Sequence, residues 1–194
     1  MTNSFDYDVL YIGAGHGTFD GAMPLAAKGY KVAVVEADKI GGTCPNWGCN
    51  GKIALDLPVQ LKETQQRLKN IIKGDLSIDW TQNMLNKHKV IDGLPGAIEG
   101  GLKAFGIDVL HGYGKLVDNH TVDVDGKNYS ADKIVLATGL RPNRLDVPGK
   151  EMASDSKEFL NLEELPVHIA IIGSGYIAME FATIANAAGS EVTV

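Results

Sequence analysis

Two segments of this sequence place closely spaced glycines where a short apolar strand meets a helix. Residues 7–12 have the apolar character of a buried strand and run directly into a glycine turn, as do residues 168–172. Each turn is followed by a predicted helix of about three turns and by a further apolar strand, at 31–36 and at 191–194. Because a strand, a helix and a second strand in this order form a parallel crossover unit, we predict an α/β fold.

The first glycine run reads Gly-Ala-Gly-His-Gly-Thr over 13–18. We expect Gly13 to allow the tight turn and Gly15 to let a pyrophosphate approach the backbone at the helix N-terminus. Glu36, at the end of the next strand, is placed to accept hydrogen bonds from a ribose. Thr18 stands where a third glycine usually allows close helix packing, and an ordinary glycine-rich turn is the competing interpretation. The residues assigned to this dinucleotide site are Gly13, Gly15, His16, Gly17, Thr18 and Glu36.

The second glycine run, 173–178, repeats this arrangement with Ala178 as its small third residue. One such fingerprint is a weak signal, but two of them 160 positions apart indicate two bound nucleotides. We expect one to be a flavin and the other an exchangeable nicotinamide nucleotide. The residues assigned to the second site are Gly173, Gly175, Tyr176 and Ile177.

The residues between the two runs predict helices at 50–73, with Ile71 and Ile72 among the apolar markers, and at 79–104. Short strands follow, and the dipeptide Asp-Gly at 125–126 fits a hairpin turn in a small antiparallel addition to the sheet. These strands are predicted at 107–117, 121–124, 127–130 and 132–137. Prolines bound a connector before the second run, so we predict a Rossmann-like flavin-binding domain over 1–150, a connector over 151–166 and the start of a second Rossmann-like domain over 167–194.

The only two cysteines lie in the segment 41–52, which reads GGTCPNWGCNGK. This segment resembles the redox segment of the pyridine nucleotide-disulfide oxidoreductases, the family of dihydrolipoamide dehydrogenase, glutathione reductase and mercuric reductase. In that family the segment reads GGTCxNxGCxxxK or close to it. The resemblance covers essentially the whole chain and implies bound FAD, NAD(P)H as co-substrate, and a small-molecule disulfide or dithiol substrate.

The resemblance also implies roles for individual residues. Cys49 becomes the thiol beside the flavin, and Cys44 becomes the thiol that attacks the substrate. The start of a helix favours a thiolate through its N–H groups and dipole, and Cys49 is expected at that position. Lys52 shares the helix face of Cys49 and is expected to pair with Glu180 near the reactive edge of the flavin, solvent exposure of Lys52 being the alternative. Flavin contacts are also expected from Gly42 and Thr43.

Two further matches belong to the flavin site. The tripeptide Ala137-Thr138-Gly139 follows a predicted buried strand and resembles a flavin contact of the family. Gly114, in the sequence His-Gly-Tyr-Gly, resembles the backbone contact to adenine. Without the resemblance, Thr138 and Gly114 would be ordinary turn residues.

Charge and composition exclude several classes of partner. A net charge of −6 leaves no basic surplus for nucleic acid, and no window approaches the roughly 20 apolar residues of a membrane helix. Residues 1–6 lack the basic start of a signal peptide, so a cytoplasmic protein is expected. The five histidines show no spacing that completes a four-ligand zinc site with the cysteines, so no metal is expected.

Three classes of function remain open: a disulfide reductase, which is favoured, a flavoprotein reductase of a metal ion or quinone, and a non-catalytic nucleotide-binding fragment. The sequence stops inside a predicted strand, which suggests part of a longer chain. The resemblance places the acid–base histidine and the interface of an expected homodimer in the missing part. Glutathione reductases carry arginines that contact glutathione where this chain has Met23 and Pro24, which disfavours glutathione and leaves the substrate open.

Overall fold

The structure is a computed structural model that describes residues 5–143 and 145–194. Residues 1–4, on which the expected absence of a signal peptide partly rests, and residue 144, in the stretch before the predicted connector, lie outside the described residues. The predicted domain limits remain a prediction. The chain forms two compact units, Met1–Asn46 with Gly93–Pro142 and Trp47–Asp92 with Asn143–Val194.

The elements alternate between strands and helices at both ends of the chain, with helices grouped before a set of strands in its middle. In chain order they are β1 (Tyr7–Ile12), α1 (His16–Ala27), β2 (Val32–Glu36), α2 (Thr43–Trp47), α3 (Cys49–Arg67), α4 (Trp80–Ile91), α5 (Leu94–Ala104), β3 (Asp108–His111), β4 (Gly114–Leu116), β5 (Thr121–Val124), β6 (Lys127–Leu136), a 3₁₀ turn (Lys150–Met152), α6 (Ser156–Phe159), β7 (His168–Ala170), α7 (Tyr176–Ala187) and β8 (Glu191–Thr193).

The first unit is built on one six-stranded sheet with the order β3-β2-β1-β6-β5-β4. Strands β3, β2, β1 and β6 run parallel, and β5 and β4 continue the sheet antiparallel. This arrangement confirms the predicted α/β fold with a small antiparallel addition. The predicted division of β6 into 127–130 and 132–137 is wrong, because one continuous strand pairs first with β5 and then with β1.

The central strands of this sheet are apolar on both faces because both faces are covered. Val32 and Val34 of β2 lie in the cluster that includes Leu102 of α5. Ala33 and Val35 point the other way and pack with residues of β1 and β5. All four β2 side chains are almost completely buried, which explains why this strand reads as a continuous apolar run.

The predicted strand 107–117 is two strands, and Gly112 separates them. Gly112 has a φ of +147°, which residues with a side chain rarely adopt. A Cβ at this position would lie 2.4 Å from a carboxylate oxygen of Asp125. The backbone N–H of Tyr113 donates to the same carboxylate. The chain therefore leaves β2 at His111 and joins β5 from Gly114 onward.

The second unit packs α3, α4 and α6 around a second strand, helix and strand, in which β7 and β8 pair in parallel on either side of α7 in sequence. The rings of Phe159 and Phe181 stack with centroids 4.1 Å apart. The core residues of this unit are Leu55, Val59, Trp80, Met84, Phe159, Leu160, Phe181, Ile184 and Ala185. In the part of the chain that the structure describes, no helix is long and apolar enough to cross a bilayer.

Neither of the two long helices predicted before the antiparallel strands has the expected extent. The helix predicted over 50–73 ends at Arg67, and Ile71 and Ile72 are 79% and 45% exposed. The helix predicted over 79–104 is two helices, separated at Gly93, because Pro95 occupies an early position of α5 where its missing N–H costs nothing.

Candidate active site

The first glycine turn lies against the end of β6, and only glycine fits its first position. Gly13 has a φ of +106°, and its N–H donates to the carbonyl of Val35 at 2.8 Å. A Cβ on Gly13 would lie 2.2 Å from the carbonyl oxygen of Ala137. The backbone at Gly13 is therefore that of a tight turn. Ala137, which the turn approaches, belongs to the predicted tripeptide 137–139.

Glu36 holds the same turn in place. One of its carboxylate oxygens accepts a hydrogen bond from the N–H of Ala14 at 2.8 Å, and the other accepts one from Asp38 at 2.9 Å. The carbonyl of Ala14 in turn accepts from the N–H of Gly41 at 2.9 Å. The residue predicted to bind a ribose is thus anchored at the end of β2, beside the glycine turn.

The segment before Cys44 makes a second close backbone approach. Gly42 has a φ of +64°, and a Cβ there would lie 2.9 Å from the Cα of Gly15. Asn46 is buried, and its side-chain amide donates to the carbonyls of Ile40 at 3.0 Å and Gly42 at 2.9 Å. Asn46 is not among the predicted site residues, although it matches the asparagine of the pattern GGTCxNxGCxxxK, and its buried amide closes the turn that brings Gly42 to Gly15.

Thr18 occupies the position of the expected third glycine, and its side chain is accommodated there by a hydrogen bond. It is fully buried, and its hydroxyl donates to the carbonyl of Gly13. The N-cap of α1 is Gly15, which supplies no side-chain cap to the first turn. His16 and Gly17 are exposed in that turn, and their predicted cofactor contacts remain predictions.

The other predicted flavin contacts lie at the ends of neighbouring strands. The N–H of Ala137 donates to the carbonyl of Ile12 at 2.9 Å, and Gly139 has a φ of +74°. Gly114 is wedged in the sheet, since a Cβ would lie 3.1 Å from side-chain carbons of both Ile12 and Val35. Two backbone approaches that leave no room for a Cβ, Gly13 to Ala137 and Gly42 to Gly15, lie at this edge of the sheet, and the carboxyl ends of parallel strands are where α/β proteins bind ligands.

The redox segment is formed by α2 and the first turn of α3. Cys44 lies in α2 and is half-buried, whereas Cys49 is exposed, and both carry thiols. Cys49 is the first residue of α3, and Gly48 is its N-cap without a side-chain cap. The prediction that Cys49 begins a helix is confirmed. The short helix α2 was not predicted.

Lys52 and Glu180 form the predicted ion pair. The Lys52 ammonium lies 2.8 Å from each carboxylate oxygen of Glu180. This hydrogen bond is the main reason that the pKa of Lys52 lies above its usual value; partial burial opposes it, and the charges of Glu180 and Cys49 add to it. The side chains are 27% and 40% exposed, so the pair contributes little to stability and mainly fixes a positive charge near Cys49.

The second glycine run has the backbone of the first but a more open setting. Gly173 has a φ of +119°, and Gly175 is the N-cap of α7 without a side-chain cap. A Cβ at either glycine would meet nothing within 4 Å. Tyr176 begins α7 and, like Ile177, is exposed. Within residues 5–143 and 145–194, no three histidine, cysteine or acidic side chains come together as a metal site would need.

Comparison with known proteins gives concordant matches in sequence and structure. The chain is 38% identical to a glutathione reductase of Nostoc sp. over 98% of its own length and 42% of that enzyme. It is 30% identical to a dihydrolipoyl dehydrogenase of Acholeplasma laidlawii over 98% of its own length and 60% of that enzyme. The chain therefore spans well under two thirds of the length of these relatives.

Solved structures agree with these relatives. The structure matches the HOCl-induced flavoprotein disulfide reductase RclA from Escherichia coli with a TM-score of 0.84 and 30% identity, over 96% of this chain and 41% of RclA. Residues 7–194 match the family described as pyridine nucleotide-disulphide oxidoreductase. This chain, whose described sheet is that of a Rossmann-like FAD-binding domain, belongs to the pyridine nucleotide-disulphide oxidoreductase family.

Proposed function

We propose that the protein containing this chain passes electrons between NAD(P)H and a small-molecule disulfide through FAD and the pair Cys44 and Cys49. FAD and NAD(P)H are the cofactors of the family. The observation that carries the proposal is the first turn of α3, where Cys49 precedes a lysine ion-paired with α7, the helix opened by the second glycine run. FAD, when bound, would supply electron transfer from a nicotinamide hydride to the disulfide of the cysteine pair.

Two groups of residues would hold the nucleotides. The glycine turn and strand ends of the first unit would bind FAD, since they lie at the N-terminus of a helix and at the carboxyl ends of parallel strands. The start of α7 would bind the nicotinamide nucleotide. The proposed FAD residues are Gly13, Gly15, His16, Gly17, Thr18, Glu36, Gly42, Thr43, Cys49, Lys52, Gly114, Ala137, Thr138 and Gly139, and those for NAD(P)H are Gly173, Gly175, Tyr176 and Ile177.

The sulfur chemistry needs both cysteines in the thiol state that the structure shows. The Cys44 thiolate attacks one sulfur of the substrate, its S–S bond breaks, and the first product thiol leaves with a proton. Cys49 then attacks the Cys44 sulfur, forms the Cys44–Cys49 disulfide and releases the second thiol. The enzyme pair loses two electrons, and the substrate disulfide gains them.

Lys52 is proposed to hold a positive charge at the reactive edge of the flavin. Replacing Lys52 with methionine keeps the length of the side chain and removes the charge and the bond to Glu180. We expect flavin reduction by the nicotinamide nucleotide in the full-length protein to slow by about ten- to a hundred-fold, as when one electrostatic contact to developing charge is lost. Stopped-flow absorbance at the flavin band measures this rate.

A matched control is available on the same helix. Lys62 donates to the carbonyl of Ala187, so it also connects α3 to α7, but it lies ten residues beyond Lys52. Lys62→Met is expected to leave the rate of flavin reduction within about twofold of the wild-type rate. An unchanged rate in Lys52→Met, or equal slowing in both variants, would remove the proposed role of Lys52.

The identity of the acceptor is tested with the full-length protein and a panel of substrates. We expect NAD(P)H-dependent reduction of a small disulfide, with lipoamide, glutathione disulfide and other low-molecular-weight disulfides as the panel. Reduction of Cu(II) or a quinone is the second candidate, because similar solved structures include Cu(II) complexes of RclA, at 29% and 30% identity. Turnover of Cu(II) or quinone without turnover of any disulfide would favour that candidate over ours.

We also propose that the full-length protein is a cytoplasmic homodimer. The proposal rests on membership of the family. Light scattering of the full-length protein is expected to give twice the mass of one chain.

A further inference from the structure

The short helix α6 is unusually well fixed for four residues. The carboxylate of Asp155 accepts from the N–H of Glu158 at 3.4 Å, and the carboxylate of Glu158 accepts from the N–H of Asp155 at 2.7 Å. This reciprocal capping box stabilises the first turn. On the side facing the core, Phe159 stacks on Phe181 of α7. A segment anchored in this way can hold other side chains in place.

Lys157 extends from α6 to the redox segment. Its ammonium lies 3.6 Å from the centroid of the Trp47 ring, a distance at which the negative face of an indole attracts a cation. Trp47 is two residues before Cys49. The contact therefore fixes the chain on the N-terminal side of Cys49 and places a positive charge over the ring of Trp47.

Lys87 makes a second connection between the α6 segment and α3. Its side chain is fully buried, and its ammonium donates to the carbonyl of Leu160, directly after α6. Its aliphatic carbons lie beside Gly51, where a Cβ would be 3.7 Å from Cδ of Lys87. Gly51 is two residues after Cys49. Two lysines thus contact the chain on either side of Cys49. Lys157 belongs to α6, and Lys87 binds the residue that follows it.

We propose that α6 positions Cys49 and that Lys157, through Trp47, favours the reduced state of the cysteine pair. This inference rests on the proposed function. Reduction of the disulfide consumes two electrons, supplied by the nicotinamide nucleotide, and one proton, and it yields one thiol and one thiolate. A nearby ammonium stabilises the thiolate but has no charge to stabilise in the disulfide, so it shifts the equilibrium toward the reduced pair.

The test is the midpoint potential of the cysteine pair in the full-length, FAD-loaded protein, measured by equilibration with dithiothreitol at defined ratios. Lys157→Met removes the charge from an exposed side chain and keeps its length. Loss of an exposed charge that interacts with the thiolate should shift the equilibrium about threefold toward the disulfide, which is about 14 mV more negative for a two-electron couple. Lys157→Arg keeps both charge and ring contact and should restore the wild-type potential.

Lys150→Met is the matched control, because Lys150 lies in the 3₁₀ turn shortly before α6 and pairs with Asp146. It should leave the potential unchanged. A wild-type potential in Lys157→Met, an equal shift in Lys150→Met, or no recovery in Lys157→Arg would overturn the inference while leaving the proposed function intact. A wild-type protein without a titratable dithiol would remove the proposed function, and the inference with it.

Discussion

Replacing Cys49 with serine is expected to reduce NAD(P)H-dependent disulfide turnover by the full-length protein at least about a thousand-fold. A serine hydroxyl cannot form the disulfide with Cys44 that releases the second product thiol. Because Cys49 is exposed at the first position of α3, the substitution should leave folding and FAD content unchanged. Initial rates with the preferred disulfide and the flavin absorbance per chain measure both quantities.

Cys44→Ser is the companion variant. It should lose turnover to a similar extent, because the proposed attack on the substrate starts from this sulfur. The two variants should differ when only the half-reaction with NAD(P)H is followed, since Cys44→Ser retains the thiol at position 49. More than about a tenth of wild-type turnover in either serine variant would contradict the assignment of the pair.

Replacing Gly13 with alanine is expected to weaken FAD binding at least about a thousand-fold and to give a colourless protein. The added Cβ would lie 2.2 Å from the carbonyl oxygen of Ala137, at a φ of +106° that L-residues rarely adopt. Strain of this kind costs about 1–3 kcal/mol, and the clash forces the glycine turn or the 137–139 segment out of place. Fluorescence titration of the refolded full-length apoprotein with FAD measures the affinity.

Gly29→Ala separates strain from the clash. Gly29 also has a positive φ, +89°, but a Cβ there would meet nothing within 4 Å. This variant should be less stable and should still bind FAD with wild-type affinity. If Gly13→Ala bound FAD within about tenfold of wild type, the close approach of the turn to Ala137 would not matter for the cofactor, and the proposed cradle would be wrong.

The elements that the sequence predicts best are those whose pattern is local. Strand β1 has the predicted limits 7–12, and β2 begins one residue later than the predicted 31–36. Both are apolar runs that end at a glycine or an acidic residue. Glycine also marks the end of α1 correctly, because Gly29 follows its C-cap with a left-handed φ. The predicted ion pair of Lys52 with a residue 128 positions away came from the family resemblance and not from any local pattern.

The features that the sequence does not predict are mostly contacts between distant segments. The helix α6 carries a local signal, Asp155 followed three residues later by Glu158, that typically starts a helix. The contact of Lys157 with Trp47 has no signal in the sequence, since the two residues lie far apart and exposed lysines are common. Lys87 is a charged residue in a core position, and sequence patterns assign such residues to the surface. Ile71 and Ile72 are the opposite case. They are apolar residues that the pattern places in a helix, but they lie beyond the end of α3 and are exposed.

The most direct test is an anaerobic titration of the full-length protein with NADH and with NADPH, followed by absorbance. We predict a yellow protein in which one of the two nucleotides produces a long-wavelength band from a thiolate at position 49 lying against the flavin. The band should be absent in Cys49→Ser and retained in Cys44→Ser. A protein that stays colourless after soaking in excess FAD, or a band that persists without Cys49, would contradict the proposed flavin site with Cys49 against the flavin.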